Sequence, residues 1–74
     1  MNDEGQQIKT KTATVLEALP NTKFRISFDD PELGQGIGFL SGRMRRHRIR
    51  VMIGDRVEVF LDPNGGQGRI ERRL

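Results

Sequence analysis

The densest group of chemically active side chains in this chain lies between residues 43 and 50. Five of these eight residues are arginines, a sixth is histidine, and no acidic residue falls among them. An arginine guanidinium can bind a phosphate through two hydrogen bonds and can also stack on a base. Because such a run repels itself, a bound polyanion would stabilise it. The pattern predicts contact with RNA or DNA, and the residues concerned are Arg43, Arg45, Arg46, His47, Arg48 and Arg50.

The distribution of charge along the chain supports this prediction. Residues 1–42 hold four basic and six acidic side chains, a net charge of −2, whereas residues 43–74 hold nine arginines and four acids, a net charge of +5. Arginines at a helix C-terminus also complement the helix dipole, which would account for one or two of them. The remaining arginines point to a polyanionic partner.

Other kinds of chemistry are poorly represented. His47 is the only histidine, and its neighbours in the sequence are cations that could not orient it as a general base. A zinc site is excluded because the chain has one histidine and no cysteine. The glycines at 34, 36 and 38 are not followed by the Lys-Ser/Thr pair of a phosphate-binding loop. We therefore expect no catalytic residues, no metal site and no cofactor.

Composition limits the size and setting of the fold. The chain has 74 residues, of which 34% are hydrophobic and 31% charged, and it has no cysteine to form disulfides. This predicts one domain with a small core. The longest aliphatic run, residues 51–53, is far shorter than the roughly 18 residues of a membrane span. The polar N-terminus resembles neither a secretory signal nor a transit peptide, so a soluble intracellular protein without a membrane partner is expected.

Short strands separated by turns are predicted for most of the chain. Phe24, Ile26 and Phe28 alternate with polar residues, which is typical of a strand with one buried face. Pro20 favours a turn before this strand, and the glycines at 65 and 66 favour a hairpin at 62–66. The predicted strands are 12–19, 23–28, 37–40, 57–61 and 68–72.

A single helical turn is predicted between the third and fourth strands. Ser41 can cap its N-terminus by accepting a hydrogen bond from a free backbone N–H. Residues 42–46 would then form about one turn, with Met44 facing inward. Alternating apolar residues over 49–53 predict an extended segment that ends in a turn at Gly54.

Five strands with a helix in this position predict an all-β fold, the five-stranded OB-fold barrel. Closing a small sheet into a barrel protects its edges from pairing with other chains. Residues 1–9 show no apolar periodicity and are expected to be disordered until bound. Residues 10–74 would form the single OB-fold domain.

Further basic side chains are expected on the outside of the barrel. In an OB-fold, the face of strands 2 and 3 and its flanking loops form the usual binding surface. Lys23 and Arg25 would project from the second strand, and Arg69 and Arg72 from the last. These four are candidates for nucleic-acid contact, although solvated strand positions would look the same.

The four phenylalanines favour one kind of nucleic acid over another. Phe24 and Phe28 belong to the predicted buried stripe, which leaves only Phe39 and Phe60 without an assigned place. Proteins that bind single strands without sequence preference normally present a platform of aromatic side chains. Structured RNA held by arginines is therefore the better predicted target.

Five blocks of sequence occur in an order and at a spacing typical of one protein family. They read TVLEALPNTKFR at 14–25, SGRMRR at 41–46, IRV at 49–51, GDRV at 54–57 and GRI at 68–70. The blocks resemble bacterial translation initiation factor one. The resemblance extends from about residue 12 to residue 72, which is almost the whole chain.

This resemblance implies a non-enzymatic OB barrel that occupies the A site of the small ribosomal subunit during initiation. There it would contact the decoding region of the rRNA and a neighbouring ribosomal protein, and act with initiation factors two and three. The resemblance also implies a monomer off the ribosome. A bacterial cytoplasm is favoured over an organelle because organellar factors usually carry a longer N-terminal extension. By position, the implied rRNA contacts are Lys23, Arg25, Arg43, Arg45, Arg46, Arg50 and Arg69.

Two other functions remain open from the residues alone. One is a cold-shock-like RNA chaperone that binds many single strands, against which the scarcity of aromatic residues speaks. The other is a protein-interaction module whose basic face meets an acidic partner.

Overall fold

The computed structural model describes residues 10–61 and 68–74, which form a closed barrel. Strands β1 to β5 span Thr10–Leu19, Lys23–Phe28, Gln35–Leu40, Arg56–Leu61 and Gly68–Arg73, and helix α1 spans Gly42–Arg46. The strand order is β1-β2-β3-β5-β4, with α1 between β3 and β4 in the chain. This confirms the predicted five-stranded OB-fold barrel. The predicted disordered tail at 1–9 and the predicted hairpin at 62–66 lie outside the described residues.

The barrel closes because β1 is long enough to pair on both sides. Residues 10–14 of β1 pair with β4, and residues 13–19 pair with β2. A bulge between Val15 and Glu17 increases the local twist at the point where β1 passes from one neighbour to the other. β3 and β5 pair in parallel, whereas every other adjacent pair is antiparallel.

The core consists of inward-facing residues from the barrel strands together with one helical side chain. The alternation predicted for β2 and β4 is present: Ile26, Val57 and Val59 are fully buried, and their neighbours face outward. Met44 of α1 is also fully buried, as predicted. The buried set is Ala13, Val15, Phe24, Ile26, Met44, Val57, Val59 and Ile70.

The extended segment predicted at 49–53 is wrong. These residues form no strand, and Ile53 is 68% exposed despite its place in the alternating pattern. The backbone N–H of Met52 donates to Oδ2 of Asp55 at 2.8 Å, so local hydrogen bonds replace a strand ladder. The predicted turn at Gly54 is confirmed, with a φ of +93°. This turn is joined to β1, since the N–H of Gly54 donates to the carbonyl of Val15 at 2.8 Å.

No helix within residues 10–61 and 68–74 has the length and apolar character needed to cross a membrane. The one helix described there, α1, has five residues.

The packing of the barrel interior predicts that Gly68 cannot be replaced by a larger residue without loss of stability. This residue pairs with Gly38 across the parallel ladder, and a Cβ at Gly68 would overlap Cγ1 of Val59. Gly68→Ala should lower the free energy of unfolding by about 1–3 kcal/mol through overpacking, measured by urea denaturation. Gly42→Ala is the matched control. Its Cβ would lie 3.8 Å from the mobile end of Arg46, and alanine is the better helix former. Equal stability of the two variants would contradict this account of the packing between Gly68 and Val59.

Candidate nucleic-acid interface

The arginine-rich segment is held on the barrel by the residue that precedes its helix. The N–H of Ser41 donates to the carbonyl of Ile70 in β5 at 3.0 Å, and the Ser41 hydroxyl accepts from the N–H of Met44 at 3.2 Å. Ser41 is therefore the N-cap of α1, as predicted, and is itself buried. With Met44 buried in the core, the short helix is anchored at its start and at its centre. The arginines on either side of Met44 must face solvent.

The end of α1 places Arg48 in a conformation that usually belongs to glycine. The N–H of Arg48 donates to the carbonyl of Arg45 at 3.2 Å, and the N–H of Ile49 donates to the carbonyl of Met44 at 3.0 Å. These two bonds form a Schellman motif, in which the residue after the C-cap has a positive φ. Here that residue is Arg48, with a φ of +56°. A charged side chain therefore occupies a site where glycine would be less strained.

Two guanidiniums of this segment, those of Arg43 and Arg45, bond to backbone carbonyls rather than to carboxylates. Arg43 donates to the carbonyl of Glu71 at 3.1 Å, and Arg45 donates to the carbonyl of Leu40 at 3.3 Å. Among the described residues, no acidic side chain lies within salt-bridge distance of any arginine from 43 to 50. All five of these arginines are exposed, and so is His47. The positive charge is thus positioned by the backbone but not neutralised there.

The basic residues predicted on the strands have a different environment, because three of them face carboxylates. Arg25 pairs with Glu17 on the neighbouring β1, with Nε 3.1 Å from Oε1. The two candidate arginines on β5 also pair with carboxylates. Arg72 pairs with Glu58 at 3.3 Å, and Arg69 pairs with Glu71 two residues further along the strand. Lys23 lies half-buried on the outward face of β2.

The helix and β5 bring some of the predicted residues together around two adjoining cavities. The larger, of about 820 Å³, is lined by Arg43, Arg69, Arg72 and other residues of β4 and β5. The smaller, of about 430 Å³, lies against Arg43, Arg72 and His47. Since Arg43 and Arg72 line both, the helix and the last strand share one groove, which we call the basic groove and whose lining also includes Glu58 and Glu71. Arg25 lies outside it, on β2.

Two features of the surface escaped the sequence prediction. The first is Arg73, whose guanidinium donates to the carbonyl of Arg50 at 2.9 Å and which lines the smaller cavity. Its position next to Arg72 at the end of the basic last strand was the available signal. The second is the place of Phe39 and Phe60. Both are half-buried on the barrel surface, and each is paired directly with Arg69 of β5. The sequence alone could not show that the two rings are near each other, because the residues are 21 positions apart and lie on different strands.

Within the described ranges, 10–61 and 68–74, no group of three or more histidine, cysteine or acidic side chains is placed to hold a metal ion. His47 lies in the basic groove, among arginines.

Solved structures contain the same architecture. The solution structure of translation initiation factor one from the Wolbachia endosymbiont of Brugia malayi superposes with a TM-score of 0.72. It is 38% identical in sequence, and the match covers 99% of this chain and 86% of that one. YjeQ from Thermotoga maritima matches with a TM-score of 0.73 and 25% identity over 89% of this chain. This chain spans only 23% of YjeQ. No protein-family model matches the sequence.

The strained position of Arg48 predicts an unusual response to glycine. Arg48→Gly removes the Cβ that disfavours a φ of +56°, and we expect the free energy of unfolding to rise by up to about 1 kcal/mol. Part of the gain is offset because glycine has more freedom in the unfolded chain. The same exchange two residues earlier, Arg46→Gly, lies inside α1 and should lower stability by about 0.5–1 kcal/mol. Urea denaturation of both variants would refute the interpretation if Arg48→Gly lost as much stability as Arg46→Gly.

Proposed function

The chain belongs to the family of translation initiation factor one, and we propose that it binds the rRNA of the small ribosomal subunit in the decoding region, at the A site. In this role it also contacts an adjacent ribosomal protein and acts with initiation factors two and three. It is a monomer off the ribosome and works in the cytoplasm, that of a bacterium in preference to an organelle. The factor is not an enzyme: it acts by occupying a site and by binding RNA.

The observation that carries this proposal is the exposed, unneutralised arginine segment on a rigid anchor. The exposed guanidiniums extend from a helix whose N-cap and central side chain are both buried. In the described part of the chain, no carboxylate lies within salt-bridge distance of them. Arginine held in this way can bind phosphate oxygens of folded RNA without first breaking an internal ion pair. Because the helix fixes the spacing of its arginines, they suit a structured RNA surface better than an unstructured RNA strand.

The paired arginines on the strands play a smaller part in this binding. Arg25, Arg69 and Arg72 each have a carboxylate partner, so RNA must displace or share it. They add short-range contacts at the edge of the interface. The long-range attraction for the negatively charged subunit comes mainly from the segment at 43–50.

The non-catalytic role is supported by the surroundings of the one histidine. His47 is the C-cap of α1 and is exposed among arginines. A histidine acting as a general base needs a group that orients it beside a nucleophile. Cationic neighbours suit His47 to an RNA contact instead.

Removing one arginine from the segment should weaken subunit binding more than removing one outside it. If five arginines contact phosphates, the logarithm of the binding constant should fall with the logarithm of salt concentration with a slope of about −3.5. Arg50→Gln should reduce that slope to about −2.8 and weaken binding about tenfold at low salt. Arg56→Gln is the matched control, because it removes one positive charge that is already paired with Asp29. Cosedimentation over a salt series would reject the assignment if both variants behaved alike.

Chemical footprinting on purified small subunits tests the place of binding. We expect the protein to protect nucleotides of the decoding region and few others. Protection scattered over many single-stranded segments would instead indicate a chaperone, and unprotected rRNA despite cosedimentation would indicate docking on a ribosomal protein. Either result would contradict the proposed A-site function. Arg50→Gln at low salt is the control, since it should need about tenfold more protein to give the same protection.

A further inference from the structure

Four outward-facing residues form a continuous row across the barrel, and we propose that this row stacks the unpaired bases of single-stranded RNA. The row runs over four adjacent strands and alternates basic with aromatic side chains. In order it consists of Lys23 on β2, Phe39 on β3, Arg69 on β5 and Phe60 on β4. We refer to these four residues as the stacking row.

The strand register shows that the members of the stacking row are direct neighbours. Lys23 is paired with Phe39, Phe39 with Arg69, and Arg69 with Phe60. Residues paired in this way project from the same face of a sheet. That face is the outer one, because the adjoining residues in each strand, Phe24 and Ile70 among them, are buried in the core. At about 4.8 Å between strands, the row spans about 14 Å, and its two rings lie about 10 Å apart.

Arg69 and Phe60 already form a stacked pair. The guanidinium carbon of Arg69 lies 5.0 Å from the centre of the Phe60 ring, within the range of a cation–π contact. The Arg69 side chain is still 47% exposed. A guanidinium plane supported by a ring on one side can receive a base on the other, and the half-buried Phe39 offers a second position beside it. One base on the Arg69 guanidinium and one on the Phe39 ring give room for two nucleotides.

Polar groups beside the stacking row can recognise a base at its centre. The cavity of about 820 Å³ that Phe60 and Arg69 line also contains the side chains of Glu58 and Glu71. Although these carboxylates are paired with Arg72 and Arg69, their oxygens can still accept hydrogen bonds from the amino groups of bases. Phosphates would instead lie at the two ends, near Lys23 on one side and near Arg43 on the other. Since Arg43 also belongs to the arginine segment, one RNA molecule could contact both surfaces.

This inference rests on the proposed function only in its choice of RNA as ligand. The arginine segment accounts for attraction to phosphates of any RNA, whereas the stacking row distinguishes unpaired from paired bases. Bases in a duplex are stacked on each other and cannot lie on a protein ring. The two surfaces therefore predict different responses to mutation and to salt.

The test measures binding of a labelled eight-nucleotide single-stranded RNA by fluorescence anisotropy, with the full-length protein. Stacking on one aromatic side chain changes affinity by about tenfold. Phe39→Leu with Phe60→Leu should therefore weaken binding about a hundredfold. The slope of affinity against salt should not change, because no phosphate contact is lost. Phe39→Tyr with Phe60→Tyr keeps both rings and should bind as the unmodified protein does, which separates stacking from damage to the fold.

Two further RNA molecules complete the test. A strand of the same length built from abasic residues has the same phosphates but no bases, and the double leucine variant should bind it as well as the unmodified protein does. A fully paired hairpin should likewise bind both proteins equally. The inference is overturned if the leucine variant loses affinity equally for all three RNAs, or binds the single strand within twofold of the unmodified protein.

The failure of this inference and the failure of the proposed function give different results. If the unmodified protein cosediments with small subunits but does not bind the eight-nucleotide strand, the stacking row is not a base-binding surface, and the A-site proposal stands. If it binds the strand through Phe39 and Phe60 but does not associate with subunits, the stacking inference stands and the A-site proposal falls.

Discussion

Parallel pairing of β3 with β5 is the constraint on which the rest of this structure depends. Together with the pairing of β1 on both its sides it closes the barrel, and it brings two glycines, Gly38 and Gly68, opposite each other. A Cβ at Gly38 would lie 3.2 Å from side-chain atoms of Ile26 and Ile70, and one at Gly68 would overlap Val59, so the packed interior favours glycine at both positions. A chain with so few apolar residues cannot cover open sheet edges with other elements, and closure removes those edges. The same pairing places Phe39 beside Arg69 and carries the carbonyl of Ile70 to the N–H of Ser41.

The arginine segment shows how this small core supports a surface that opposes its own stability. Five exposed guanidiniums lie close together, and Arg48 adopts a conformation that favours glycine. Both features are unfavourable in the free protein. They persist because Ser41 and Met44 anchor the helix to the barrel, and because backbone carbonyls accept hydrogen bonds from Arg43 and Arg45. Strain kept at an exposed charged residue is what a binding role would explain.

Local patterns in the sequence were sufficient to predict the five strands, the helix and the two residues that anchor the helix to the barrel. The N-cap at Ser41, the inward Met44 and the alternation in β2 and β4 each depend on neighbouring residues, and each is confirmed. The alternation at 49–53 misled because no strand pairs with this segment, and the N–H of Met52 donates instead to the carboxylate of Asp55. The row through Phe39 and Phe60 could not be found, since it depends on which strands pair and in what register, and those pairings join residues far apart in the sequence.

The arginines of this protein fall into two classes that act over different distances. Those at 43–50 have no carboxylate partner in the described part of the chain, so their field extends into solvent and would act on a polyanion at a distance. Arg25, Arg69 and Arg72 are paired, and the field of each is largely cancelled by its partner beyond a few ångströms. They can still select a ligand at contact through the shape of the guanidinium, and Arg69 also through the Phe60 ring beneath it. Attraction and selection are thereby assigned to different residues, and a change in one need not alter the other.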